Sequence, residues 1–339
     1  MTFRWRNNGG LIGRANQFSS NASGIFHQES IVAAELPIGE ALYVKAGTYT
    51  WTPPAGVKSV CVVCVGGGGG GMFFNSSNET YTYAMSGGGG GALAWMNDIP
   101  VTAGLNYNVV VGAGGTRGAY SSGSTAGGQS YFWASFIIRA GGGGAGRYNT
   151  NVSGGTYTVS ASYGSSRGGG NGGGTTRTSS SVYGPAGGGG AGGYAGNGGN
   201  GRDDGASRGD YAATNSGGAG GGGAAASFAE GVDHISGSGG GVGLFGLTNT
   251  GTSSTYGQGY GGSGGSHGIT PYPYGQNDDV DYVNGGSYGG GGGGSSTIFW
   301  GNGGNGGVGA VRIIWGPGRA FPSTNVDQDS SNGNITTTA

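Results

Sequence analysis

An all-β fold is predicted for this chain: a small antiparallel β-sandwich with a long inserted bundle of polyglycine-II helices. Three observations predict it. Glycine supplies 92 of 339 residues, so a core of interlocking side chains cannot run through the whole molecule. Stretches rich in β-branched and aromatic residues crowd into 42–140 and return once, at Ala310–Trp315. Between them, side chains recur every third residue among the glycines.

The sandwich strands are expected at 42–45, 48–52, 58–65, 92–99, 106–111, 130–133 and 136–139, with 310–315 closing the sheet. Pro53, Pro54, Ala55 and Gly56 form a turn between two of them. The predicted organisation is an attachment segment at 1–41, with short ordered stretches at 23–26 and 31–34, and a sandwich of 42–140 plus 310–315. A glycine-rich insertion follows at 141–309, to which 66–91 also contributes, and then a polar, mobile tail at 316–339.

Low-complexity composition by itself also fits a disordered tract over 141–309. Little charge, little proline and many aromatics speak against that, and so does the spacing. Ala191, Tyr194, Asn197, Asn200 and Asp203 stand three apart, as do Tyr260, Ser263 and Ser266, and Asn302, Asn305 and Val308. Polyproline-II geometry has three residues per turn, so such residues line one edge while glycine edges approach neighbouring backbones. An isolated helix of this kind would lose roughly 1–2 kcal/mol of backbone entropy per residue without compensation, whereas a bundle lets each N–H reach a neighbour's carbonyl.

Val65 runs directly into six glycines and Gly91 directly into a strand, so glycine runs extend the strands outward and bring the chain back. Counted alternately, the outward runs are 66–71, 141–144, 187–201, 237–241 and 285–294. The inward runs are 87–91, 168–174, 217–223, 257–265 and 301–309. A run of five to ten residues is about 15–30 Å long. This count places 72–86, 112–128, 145–167, 202–216, 242–256 and 295–300 at the far tip, and 175–186, 224–236 and 266–284 at the sandwich end.

A charged fraction of 9% and a net charge of −1 remove the electrostatic basis for nucleic-acid or anionic-membrane binding. No segment approaches a membrane span, and the first ten residues lack the apolar stretch of a secretory signal, which implies assembly in a cytoplasm. Strand alternation points Cys61 and Cys64 to opposite faces. Buried, inert thiols are expected there, although a redox or zinc site is the other reading of that spacing. Asp203, Asp204 and Asp210, or Asp278, Asp279 and Asp281, offer oxygen ligands without a complete calcium loop. Arg208, Gly209 and Asp210 spell an integrin-type tripeptide, which a glycine-rich chain produces by coincidence. His27, His234 and His267 stand far apart, and no nucleophile elbow or phosphate loop occurs. No catalytic residue, metal or cofactor is therefore expected, and the chain reads as a non-enzyme.

Three stretches carry a resemblance. The segment from Gly47 through Trp51, Pro53, Pro54, Cys61 and Cys64 into Gly66–Gly71 resembles the opening of the glycine-rich domain of many phage tail proteins. The segment from Gly309 through Trp315, Pro317 and Phe321 to Asn325 is similar to the close of such proteins in marine and cyanobacterial phages. Ser20–Ile25 is similar to a short segment near their amino termini. The multiple polyglycine runs also resemble the distal tail-fibre adhesins of T-even-like phages, in architecture alone. These resemblances imply a host-receptor-binding adhesin at a tail-fibre tip, located in the virion and assembled in the host cytoplasm. Its implied partners are a bacterial surface receptor, protein or glycan, and other tail-fibre proteins.

The residues expected to meet that receptor are the tip aromatics Phe73, Phe74, Tyr81, Tyr83, Tyr120, Tyr148, Tyr157, Tyr163, Tyr211, Phe245, Tyr256, Phe299 and Trp300. Rigid aromatics among Ser, Thr, Asn and Gly combine contact area with adaptable hydrogen bonding. The same rings would serve equally to cap the glycine layer. Two other classes stay open: an ice-binding protein, which would need a regular Thr, Ser or Ala ladder, and a purely structural virion or filament protein.

Overall fold

The computed structural model describes residues 18–20, 26–28, 37–75, 85–118, 123–148, 150–176, 186–202, 227–230, 233–252, 259–263, 265–268, 283–297, 303–323 and 334–337. Met1–Leu36 and Pro37–Ala339 are separate compact units. In the first, β1 (Phe18–Ser20) pairs antiparallel with β2 (Phe26–Gln28); the stretch 31–34 lies outside the described residues.

The second unit begins with β3 (Gly39–Tyr43), β4 (Gly47–Trp51), β5 (Ser59–Val65), β6 (Phe73–Asn75), β7 (Leu93–Pro100) and β8 (Tyr107–Val111). It continues with β9 (Ser130–Phe132), β10 (Ile138–Ala140), β11 (Tyr157–Val159), β12 (Arg167–Gly170), β13 (Thr175–Thr176) and β14 (Gly201–Arg202). The last strands are β15 (Ser227–Glu230), β16 (Asp233–Ser236), β17 (Ser295–Thr297), β18 (Ala310–Trp315) and β19 (Asn334–Thr337). The described residues contain strands and no helix, as the sequence predicts.

Two sheets form the β-rich base. One has the order β12-β7-β5-β18-β3-β19 and the other β11-β10-β9-β8-β4. All their pairings are antiparallel except β19 with β3. Alternation along β5 sends Val60, Val62 and Cys64 into a core shared with Trp51, Tyr107, Val109 and Phe132 of the other sheet. Cys61, Val63 and Val65 face the opposite way, against Ala191, Tyr194, Val242, Leu244 and Phe321. Because parts of the insertion cover that second face, β5 and β18 are apolar on both sides and read as continuous runs.

The close of the chain corrects the expectation of a mobile tail from residue 316. Arg319 and Phe321 are buried, and β19 adds to the β3 edge. Phe321 N–H donates to Asn97 Oδ1 (2.9 Å), Asn97 Nδ2 donates to Phe321 O (2.6 Å), and the Cys61 thiol donates to Arg319 O (3.2 Å). Residues 316–323 thus form a strap, and Arg319 within it and Arg312 of β18 both reach Glu40 Oε2, at 3.0 and 2.5 Å. A strap so fastened belongs to the base, and so does β3, whose first residues fall within the expected attachment segment.

Above the base, the glycine runs hydrogen-bond to one another with a three-residue repeat. Gly66 and Gly69 donate to Ala92 and Gly89, Gly67 and Gly70 to Gly128 and Thr125, and Gly68 and Gly71 to Gly307 and Gly304, all at 2.8–3.0 Å. Gly143, Gly115 and Gly292 donate back to Gly67, Gly68 and Gly69. A Cβ at any of Gly66–Gly71 would stand 1.9–2.2 Å from a carbonyl oxygen, so these backbones approach too closely for any side chain. At exposed positions Asn side chains supply the missing acceptor. Asn197 Oδ1 accepts from Asn171 N–H (2.9 Å), Asn200 Oδ1 from Gly174 N–H (2.7 Å), and Asn305 Oδ1 from Arg117 N–H (2.9 Å). The three-residue spacing of Asn197 and Asn200 therefore matches that of the amides they serve.

Hydrogen-bond registers also correct the directions assigned to several runs. Gly172 donates to Gly155, and Thr175 exchanges bonds with Val152, so 168–174 runs antiparallel to 150–156. The segment 150–156 itself returns from the outward run 141–147 through Gly144 to Ser153 and Gly141 to Thr156, which makes 168–174 outward. Gly189 and Gly192 donate to Gly88 and Gly91 in constant offset, so the first part of 187–201 runs inward. It turns where Gly193 donates to Gly196, and Gly198 and Gly201 then follow Asn171 and Gly174 outward. Gly188 and Ala191 donate to Gly237 and Gly240, which makes 237–241 inward as well. The physical reason is the overlooked inward run 150–156, whose Val152, Ser153 and Thr156 hide it from a count of glycines. The segment 112–128 is likewise an outward and an inward run, not a single turn: Gly115 and Gly118 donate to Gly68 and Gly71, and Gly128 donates back to Ala113.

Candidate functional site

At the end of the glycine layer remote from the base, β6 continues the outward run 66–71 and joins a small sheet of order β15-β16-β17-β6. Phe73, Phe74 and Asn75 pair in parallel with Ser295, Ser296 and Thr297, and Ser296 pairs on its other side with His234. Next to it, Tyr148 bridges Met85 and is 50% exposed. Ser86 ties these runs together: its hydroxyl accepts from Arg147 N–H (2.7 Å) and donates to Arg147 O (2.8 Å), while the single Ser236 hydroxyl hydrogen is shared between Ala186 O and Gly294 O, both 2.8 Å from its oxygen. Of the expected tip residues, Phe73, Phe74 and Tyr148 lie at this end. Tyr81, Tyr83, Tyr120, Tyr211, Tyr256, Phe299 and Trp300 lie outside the described residues.

Three expected tip residues stand at the base instead. Tyr157 opens β11 and pairs with Ala140, and Tyr163 packs on the core shared by the two sheets. Phe245 follows the inward run 236–242, and its ring lies 4.2 Å from the Arg312 guanidinium carbon, a cation–π contact over the Glu40 cluster. Conversely, segments expected at the base reach the remote end. β13 pairs in parallel with β14 at the ends of two outward runs, and β15 and β16 belong to the remote sheet. Gly265 and Gly268 donate to Gly262 and Gly259 along another outward run. It precedes 269–282, which contains Asp278, Asp279 and Asp281 and is outside the described residues, as are Asp203, Asp204 and Asp210. The strands β15 to β17 escaped sequence reading because each has only three or four residues.

A family model described as Glycine-rich domain matches residues 44–316. The chain belongs to this family. No curated protein matches the chain. The matched span takes in β4 through β18 and every glycine run between them. It leaves out β3 and the strap, although this glycine-rich domain packs both against β18 and the second core.

The thiols of the glycine-rich domain are free and buried on opposite faces of β5. Burial pushes the Cys61 thiol up to about 11 and the Cys64 thiol higher still, so neither presents a thiolate at neutral pH. Tyr194, one of the three-spaced residues, anchors the turn after the inward run. Its hydroxyl donates to Gly243 O and accepts from Gly246 N–H, both at 3.1 Å, and its carbonyl accepts from Trp95 Nε1 at 2.7 Å. His267 Nδ1 accepts from Gly261 N–H (3.0 Å) and its ring meets Tyr260 edge-on at 4.7 Å. Among the described residues no group of three His, Cys, Asp or Glu is placed to hold a metal ion, and no helix is long and apolar enough to cross a membrane.

Proposed function

We propose that the chain is a non-catalytic host-recognition adhesin at the tip of a bacteriophage tail fibre. In this reading the glycine runs are a polyglycine-II bundle that holds loops out from the β-sandwich towards a bacterial surface receptor, protein or glycan. The observation that carries the proposal is the convergence of outward and inward runs on one remote end, where Phe73 and Phe74 pair in a strand with Ser295 and Ser296 and Tyr148 bridges Met85. Support for the bundle comes from its hydrogen bonds, which rotate among three neighbours with the three-residue repeat of polyproline-II geometry. The protein acts in the virion, joined to other tail-fibre proteins, and needs no cofactor, nucleic acid or membrane insertion. Asn197, Asn200 and Asn305 close amides on exposed runs, which weighs against a filament built by stacking those edges. The aromatics among the polar residues at the remote end weigh against the regular ladder of an ice-binding face.

Exchange of 76–84 for a Gly-Ser linker tests this reading. Adsorption to host cells is expected to fall at least about tenfold, as loss of aromatic anchors does, with Tm changed by less than about 3 °C. Leu105→Ser, in an exposed turn at the sandwich end, serves as the control and leaves adsorption unchanged. Full adsorption after the exchange, or its loss in the control alone, contradicts the assignment of recognition to the remote end.

A further inference from the structure

The five-stranded sheet of the base turns one face to the core and the other outward. On the inner face the registers place Tyr49, Val109, Phe132, Ile138 and Val159 in one cross-strand row, and all five belong to or pack on the core between the sheets. Successive residues of a strand point to opposite faces, so the adjoining register row points outward. That row is Thr48, Val110, Tyr131, Arg139 and Thr158, one residue from each strand. Thr48 is exposed and the other four are half-buried. With strands about 4.8 Å apart, the row is about 19 Å long. Beside it on the same face Thr50 pairs with Asn108, both exposed.

Arg139 is the one charged residue in these five strands. Its Nη2 donates to Thr158 Oγ1 (2.9 Å), a neutral partner. Its Nε is enclosed without an acceptor, and among the described residues no carboxylate pairs with it. A guanidinium that has lost part of its hydration without meeting a counter-charge gains most from an anion. Tyr131 stands directly across from it, and residues so opposed hold their Cβ atoms about 4.5–5.5 Å apart.

We infer that this outer face binds an acidic polysaccharide through its uronate units, at a site separate from the remote-end loops. The uronate carboxylate pairs with Arg139, whose planar fork matches it. The apolar C–H face of the pyranose lies on Tyr131, and its hydroxyls meet the Thr48 hydroxyl and the Asn108 amide. A row of this length suits a chain of linked sugars better than a single one. A protein partner fits less well, because the centre of a protein interface is apolar. The large hydrophobics exposed among the described residues, Ile38, Leu105, Phe136, Tyr148 and Phe245, all lie outside these strands. Nucleic acid fits less well again, since a lone cation releases few counterions.

The test is calorimetric titration of the full chain with hexamers of galacturonate, of mannuronate and of hyaluronan, beside neutral maltohexaose. At least one acidic oligomer is expected to bind with Kd no weaker than about 5 mM and at least about tenfold more tightly than maltohexaose. Arg139→Gln is expected to remove that advantage. Methyl esterification of the uronates, which keeps the rings and discharges the carboxylates, should remove it too. If Arg139→Gln fails to fold, the ester comparison decides alone. No binding of any acidic oligomer at ~10 mM overturns the proposal, as does equal binding of maltohexaose or binding undiminished by the variant or the ester. Exchange of 76–84 leaves uronate binding intact, so this inference and the adhesin reading can fail independently; loss of binding on that exchange would move the site to the remote end and overturn the inference.

Discussion

A chain ending at Gly309 is expected to be insoluble. Removal of β18 takes out the strand between β5 and β3 in the six-stranded sheet. It strips Val311, Ile313 and Trp315 from the core between the sheets, and Ala310 and Ile314 from the second core. Each large apolar side chain of this kind contributes roughly 1.5–3 kcal/mol by burial, a large fraction of the stability of any domain. The same cut removes Arg312, Arg319 and the strap, exposing the buried Cys61 face and leaving Glu40 without either guanidinium. The check is expression and the soluble fraction. Soluble protein with a cooperative melting transition would show that β3, β5 and β7 form a stable sheet without β18.

Valine at Gly189 is expected to destabilise the protein by on the order of 4 kcal/mol or more, well above an ordinary substitution. A Cβ there would lie 2.0 Å from Gly173 O and 2.7 Å from its carbonyl carbon, both backbone atoms that cannot turn aside. Gly123 is the matched control, because a Cβ there meets nothing within 4 Å and its φ lies outside the strained region. Valine at Gly123 is expected to change stability by less than about 1 kcal/mol. Thermal melts of the two variants distinguish a packed glycine layer from a loose one; equal and small effects would favour a loose one. Gly221, in the neighbouring polyglycine run, lies outside the described residues.

Much of the base was legible. The expected strands 58–65 and 92–99 differ by one residue at each shifted end from Ser59–Val65 and Leu93–Pro100, and 310–315 coincides with β18. Their β-branched and aromatic residues are buried on both faces, so composition and structure agree. The strap was less legible, because Gly316, Pro317, Gly318 and Pro322 give it a loop's composition. Its burial depends on Asn97 and Glu40, more than two hundred residues away by the separations of 224 and 279 in their hydrogen bonds.

The three-residue period pointed to a repeating backbone arrangement but not to direction. Direction failed at Val152, where a return run carries valine, serine and threonine in place of unbroken glycine, and the directions of 168–174, of the first part of 187–201 and of 237–241 are reversed with it. Tyr157, Tyr163 and Phe245 were consequently placed at the wrong end, while Phe73, Phe74 and Tyr148 followed runs whose glycines were continuous. What the period did encode is visible at Asn197 and Asn200. Each caps an amide of a neighbouring run, and the amides at Asn171 and Gly174 have the same spacing.

The central claim, that the glycine runs are an ordered second framework continuous with the sheets, is tested most directly by amide hydrogen exchange resolved along the chain. All six amides of Gly66–Gly71 donate to backbone carbonyls, so they are predicted to exchange as slowly as those of β5 and β7, opening only with the domain. The amides of Gly87–Gly91 and Gly189–Gly192 should share that protection. Exchange of these glycines at the rate of an unfolded chain, beside protected β5 and β7, would contradict the account.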